Sequence, residues 1–142
     1  MKNGPSNHHL LLVEDDENDA FFFEYALQKS GMKCSLDHVT DGKLAIDFLR
    51  KAEQSKKPGV PRTIFLDLKM PVFNGFEFLE WMRKQTFSSP PQVIVLSGSD
   101  QEADKTKAAQ LGASAYLVKP IRAADLQRIL RDVCPEAKGA AA

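Results

Sequence analysis

Short apolar runs alternate with longer segments in which apolar residues recur every three or four positions. Leu10 to Val13 form the first run, which ends in Glu14-Asp15-Asp16. A helix is predicted from there to Ser30, capped by Asp16 or Asn18 and closed by Gly31, with Ala20, Phe23 and Leu27 as its buried stripe. Cys34 to Val39 read as a second strand, Asp41-Gly42 as a turn, and Leu44, Ala45, Phe48 and Leu49 as the marks of a second helix. Ser55 to Pro61 carries two prolines and a glycine and is predicted to be a surface loop. Ile64, Phe65 and Leu66 follow without alternation, the pattern of a strand buried on both faces, and the run stops on Asp67. Pro71, Asn74 and Gly75 then make a turn. A third helix is predicted from Gly75 to about Thr86 with Phe78, Leu79 and Met82 inward, and Ser88-Ser89-Pro90-Pro91 breaks it.

Val93 to Leu96 make a fourth buried strand ending in Ser97-Gly98-Ser99, and Ser99 or Asp100 caps a helix that runs to Leu111 and Gly112. Ala115 to Val118 form the fifth strand, followed by Lys119-Pro120. Leu126, Ile129, Leu130 and Val133 give a last amphipathic helix, closed by Pro135. Five strand–helix units in strict alternation imply an α/β fold, a single doubly wound parallel sheet with helices on both faces. Residues 1–7 are expected to be a flexible lead-in, residues 8–134 the folded domain, and residues 135–142 a flexible Ala-rich tail.

Composition narrows the function. At 142 residues, with 43% hydrophobic and 27% charged residues, the chain has the make-up of one soluble domain. Nineteen basic residues balance nineteen acidic ones. That argues against direct DNA binding or an anionic membrane, where affinity draws on excess positive charge. No apolar run approaches the ~20 residues that span a bilayer, and no signal peptide precedes the first strand, so a cytoplasmic location is expected. Cys34 and Cys134 are far apart and lack metal-ligand spacing, which suits reduced thiols. His8 and His9 are adjacent with no third ligand, and read as a solvated strand lead-in rather than a metal site.

The candidate chemistry lies where strands end. Glu14-Asp15-Asp16, Asp67, Ser97 and Lys119 each stand at the carboxyl end of a strand. In a doubly wound sheet those ends converge, with the binding crevice between the first and third strands. Two carboxylates ~4–5 Å apart repel by roughly 3–4 kcal/mol at an effective dielectric of ~20. Such a cluster calls for protonation or a cation, and Mg2+ suits hard oxygen ligands. With Lys119 as a fixed positive charge and Ser97 as a hydroxyl donor, the set could bind a phosphoryl group on Asp67, the chemistry of transfer to a carboxylate nucleophile.

Val13-Glu14-Asp15-Asp16, Leu66-Asp67-Leu68-Lys69-Met70-Pro71 with Gly75, Leu96-Ser97-Gly98 and Tyr116-Leu117-Val118-Lys119-Pro120 resemble the receiver domain of two-component response regulators. The resemblance runs from about Leu10 to Val133. It implies the flavodoxin-like strand order 2-1-3-4-5. It further implies that Asp67 is the phosphoacceptor, loaded from a phosphohistidine of a sensor histidine kinase in the presence of Mg2+. Asp15 would bind the metal directly, Glu14 mainly through water, and Asp67 and the backbone carbonyl of Lys69 would be further ligands. Ser97 would stand at the family's Thr/Ser position, Lys119 would hold the phosphate, and Tyr116 would be the aromatic switch residue. Asp16 is left as a helix cap.

The family's role is signalling to an unknown downstream protein through a changed surface of the fourth helix, fifth strand and fifth helix. It is not an enzyme beyond self-catalysed phosphoryl transfer and autodephosphorylation. The long loop from Ser55 to Arg62 and the short tail resemble the small stand-alone receivers paired with phytochrome-type kinases. Lys69 departs from the neutral residue found in several relatives.

Other readings fare worse. An aspartyl-phosphate hydrolase needs a second acid two residues after the nucleophile, where this chain has Lys69. A flavin carrier needs a phosphate-binding loop where acidic residues stand. An EF-hand lacks its glycine and terminal glutamate. An acid cluster without phosphotransfer is the plain structural alternative.

Phe21, Phe22, Phe23 and Tyr25 crowd little more than one turn of the first helix. Three successive residues fan across roughly 200° and cannot all face one sheet. Either the long loop or last helix covers the excess, or the first helix, together with the last, forms a homodimer.

Overall fold

A computed structural model describes residues 8–55 and 59–133. Strands and helices alternate in the order β1 (His8–Val13), α1 (Glu17–Ser30), β2 (Cys34–Val39), α2 (Gly42–Gln54), β3 (Thr63–Asp67), α3 (Gly75–Arg83), β4 (Gln92–Ser97), α4 (Glu102–Gln110), β5 (Ala115–Val118) and α5 (Ala123–Val133). The five strands pair in parallel in the order β2-β1-β3-β4-β5. The chain reverses direction across the sheet between β1 and β3, which puts a crevice at their carboxyl ends. The lead-in 1–7, the loop centre 56–58 and the tail, with Cys134 and Pro135, lie outside the described residues, as does the Val133 side chain.

The strands divide the core by their period of two. Leu10, Leu12, Phe65, Ile94, Leu96 and Leu117 pack with Phe23 and Leu27 of α1 and Leu126 and Leu130 of α5. Leu11, Val13, Ile64, Leu66, Val93 and Val95 pack on the other face with Ala45 and Leu49 of α2 and Phe78 and Leu79 of α3. β3, central in the order, is buried at every position, as its unbroken apolar run requires.

Local chemistry sets the helix ends. The Asp16 side chain accepts from the Asp19 N–H at 2.9 Å, and Gly31 leaves α1 in the left-handed region at φ 74°. Asp41 caps α2 through the Leu44 N–H at 2.8 Å. Asn74 and Glu77 form a reciprocal capping box that starts α3 directly after the β3 loop.

Four details depart from the sequence reading. β1 begins at His8 rather than Leu10; His8 is buried, and His9 pairs with Asp37 of β2 at 2.6 Å, so neither is a solvated lead-in. Leu44 is exposed, and Ile46 takes the buried position with Ala45 and Leu49. α3 stops at Arg83, short of Thr86, and Met82 is only half-buried. α4 starts at Glu102 after Gln101, with no side-chain cap. Ser99 and Asp100 serve otherwise: the Ser99 hydroxyl donates to Asp104 at 2.6 Å, and Asp100 pairs with Lys105 at 2.8 Å.

Candidate functional site

The parallel ladder delivers the polar residues to one edge. The Glu14 N–H donates to the Val39 carbonyl at 3.0 Å, the Leu68 N–H to Leu96 at 3.4 Å and the Lys119 N–H to Ser97 at 2.7 Å. Each bond carries the strand pairing one residue past its end, so the backbone under each functional side chain is held by its neighbour. Strand alternation decides which side chains meet. Continuing the faces of Leu10 and Leu12, of Phe65 and of Leu117 by two residues leads to Glu14, Asp67 and Lys119, all toward α1 and α5. Continuing Val93 and Val95 leads to Ser97, on the opposite face, where Tyr116 also packs.

Glu14, Asp15 and Asp67 each offer a carboxylate oxygen within 4.8 Å of the others. Glu14 and Asp67 are buried, at 1% and 4% exposure, while Asp15 faces solvent. Lys119 reaches into this group, with Nζ 2.8 Å from Glu14 Oε1, 2.8 Å from Asp19 Oδ2 and 3.3 Å from Asp67 Oδ1. The His38 Nε2 lies 2.8 Å from the Glu14 carbonyl, which ties β2 to the same point.

Burial pushes the Asp67 carboxyl up to about 7, and the Glu14 charge adds to the rise, while Lys119 opposes it. Burial alone would lower the Lys119 ammonium. Its hydrogen bonds to Asp19 and Glu14 and its attraction to Asp67 and Glu14 outweigh that, and its pKa lies above the ordinary lysine value. Lys119 is therefore a permanent cation. Hard oxygen donors from three residues at this spacing, two of them buried, with more negative charge than one ammonium balances, fit a divalent cation held by Glu14, Asp15 and Asp67.

Ser97 and Tyr116 are one step removed. The buried Ser97 hydroxyl accepts from the Ser99 N–H at 3.0 Å, and the Tyr116 hydroxyl donates to the Ser99 carbonyl at 2.9 Å. The two side chains thus grip the same residue from its two backbone groups. The Lys69 side chain is exposed. Asp16 is the α1 cap, as expected.

Asp19 was not singled out by the sequence. It reads as an ordinary acidic residue of a first helical turn, favourable to the helix dipole. No local signal marks it: only the fold brings it to the strand ends, through its contact with Lys119. A cleft of about 290 Å³ opens beside these groups, lined by Glu14, Asp19, Phe22, Lys119, Pro120 and Ile121 among others.

Comparison with known proteins adds the family. Residues 10–131 match the family model described as the response regulator receiver domain. Among curated proteins, the "Probable methanogenesis regulatory protein FilR2" of Methanothrix harundinacea (strain 6Ac) is 31% identical over 124 residues, covering 87% of this chain and 79% of that protein. The "KDP operon transcriptional regulatory protein KdpE" of Escherichia coli (strain K12) is 36% identical over 123 residues, covering 87% of this chain. The chain spans only 49% of that regulator's length, and 43% of the PhoP regulator of Bacillus subtilis (strain 168).

Among solved structures, the bacteriophytochrome response regulator RtBRR superposes with a TM-score of 0.78 at 34% identity, over 91% of this chain and 79% of that one. The phosphorylated cyanobacterial phytochrome response regulator RcpA gives 0.74 at 26%, over 96% and 98%. A Mn2+-bound form of response regulator Rcp1 gives 0.68 at 27%, over 89% and 91%.

Proposed function

The chain belongs to the response regulator receiver domain family, and from that premise we propose that it is a receiver phosphorylated on Asp67. The observation that carries this reading is one buried carboxylate, at the end of the central strand, between an acidic pair and a permanent ammonium. Phosphorylation-based signalling is the work of the family. The residue roles below are this chain's own expected share in it.

A sensor kinase's phosphohistidine is the proposed donor. The P–N bond breaks, its electrons return to the imidazole, and an Asp67 carboxylate oxygen forms the new P–O bond. Asp67 must be ionised to attack. The Lys119 ammonium beside it favours that form, against the burial and the Glu14 charge that disfavour it. Glu14, Asp15 and Asp67, with the Lys69 carbonyl, would hold Mg2+, which supplies charge neutralisation for the phosphoryl oxygens. Lys119 donates to one phosphoryl oxygen and Ser97 to another. The cleft between α1 and the β5–α5 loop opens beside Glu14 and Lys119, and it is the proposed approach for the donor ring.

Turning Ser97 toward the phosphoryl group would withdraw its oxygen from the Ser99 N–H. Ser99 also anchors the Tyr116 hydroxyl and Asp104 of α4, so the α4–β5–α5 surface would change with it. That surface is the proposed output to a downstream protein, with no direct DNA contact and no membrane. A phytochrome-type kinase is the proposed partner, supported by RtBRR and RcpA, and a cytoplasmic location suits that pairing. Among the described residues, no helix is long and apolar enough to cross a membrane.

With acetyl phosphate and Mg2+, the intact mass should rise by one phosphoryl group. The gain should vanish with a chelator and in Asp15→Ala. Labelling that ignores both metal and Asp15 would contradict the metal site.

A further inference from the structure

An ammonium has three N–H donors, and those of Lys119 meet three carboxylates. The bonds to Glu14 and Asp19 are each 2.8 Å, whereas the reach to Asp67 is 3.3 Å. The tighter grip belongs to the two carboxylates outside β3. Glu14 is buried, so releasing it would leave a charge without a partner in a dry place. The Asp19 side chain is 39% exposed, and water can replace the ammonium there.

A helix dipole does not explain the Asp19 contact. It needs only negative charge in the first turn of α1, which Glu17 also supplies. Of these two, it is Asp19 that bonds Lys119, 100 residues further along the chain.

A phosphoryl group on Asp67 would draw Nζ in from its present 3.3 Å reach, and the two 2.8 Å bonds to Glu14 and Asp19 oppose that shift. On the reading of Asp67 as phosphoacceptor, we infer that Asp19 is a positioning residue that competes with the phosphoryl group for the Lys119 ammonium. Before transfer, Asp19 holds Lys119 off the acceptor. After transfer, the ammonium has moved to the phosphoryl oxygen and Asp19 is hydrated.

The consequence is one-sided. With acetyl phosphate, the P–O bond to the acetyl group breaks, acetate leaves with its electron pair, and a P–O bond to Asp67 forms. Asp19 opposes this step because Lys119 must leave it on the way. Hydrolysis of phospho-Asp67 by water starts after that release, so Asp19 has no hold on it. An ion pair with one half-exposed partner corresponds to a factor of about 2–5 in rate.

The test measures labelling and loss of label by intact mass, at saturating Mg2+, for wild type and three variants. Asp19→Asn should be labelled about 2–5-fold faster, with an unchanged hydrolysis rate. Asp19→Glu should return toward wild type, and Glu17→Gln should match it. Faster labelling in Glu17→Gln as well would assign the effect to general charge and overturn the competition. Slower labelling of Asp19→Asn, or altered hydrolysis, would make Asp19 merely structural. If wild type is labelled and Asp19→Asn is indistinguishable, the competition fails while the Asp67 reading stands. If wild type takes no phosphoryl group, both fall.

Discussion

Asp67 is held in tension: burial and Glu14 favour its proton, and Lys119 favours its charge. In the unfolded chain its pKa returns to 3.8, against about 7 when folded. Between those values the folded state binds the extra proton, so stability falls as pH rises from about 4 to about 7 and is level above. The full effect is on the order of 4 kcal/mol. Asp67→Asn has no proton to lose. Without metal, it should be more stable than wild type at pH 8 by up to about 4 kcal/mol, with the gap closing toward pH 4. Urea unfolding at both pH values would check this, and a gap independent of pH would contradict it. At this scale the sequence was informative wherever a polar residue ended an apolar run. Glu14, Asp15, Asp67 and Lys119 were found that way, and the structure brings them together. Asp19 and Ser99 act through contacts made across the fold, and nothing in their local sequence distinguishes them from a dipole-favouring acid and a turn serine.

The elements were legible because each strand is a compact apolar run closed by turn chemistry. Their edges were harder where local and tertiary preferences part. His8 reads as polar, yet β1 pairs it with Cys34 of β2. Leu44 fits the α2 pattern but lies just outside the arc that Ala45, Ile46 and Leu49 bury. The β3–α3 join shows how closely elements are packed around the site. A Cβ on Gly75 would lie 2.6 Å from the Asp67 carbonyl oxygen and 2.7 Å from the Leu68 Cα, both backbone atoms. Gly75→Ala should therefore cost about 1–3 kcal/mol, read by urea unfolding, because the loop carrying Lys69 must shift. A neutral substitution would mean the approach is looser than described. The Ser97–Ser99–Tyr116 link belongs to this scale too. Phosphorylation should move the Tyr116 ring resonances along with those of α4, and a change confined to the surroundings of Asp67 would contradict the proposed transmission.

Across the whole molecule, α1 faces two ways. Its Phe23 and Leu27 lie in the core with α5, while Phe21, Phe22 and Tyr25 stand 63%, 56% and 52% exposed. The described residues of the long loop and α5 leave these three aromatics uncovered, which supports a homodimer through α1, together with α5. Sedimentation at micromolar concentration should give a dimer for wild type and a monomer for Phe22→Ser; a monomer in both would remove the proposal. Net charge is zero, so general electrostatic attraction does not drive such an association. On the proposed reading, function at this scale depends on a single covalent event at the end of the central strand. The most direct test is intact mass after incubation with acetyl phosphate and Mg2+, comparing wild type with folded Asp67→Asn. Wild type should gain one phosphoryl group and Asp67→Asn none, and equal labelling of the two would contradict the assignment of Asp67.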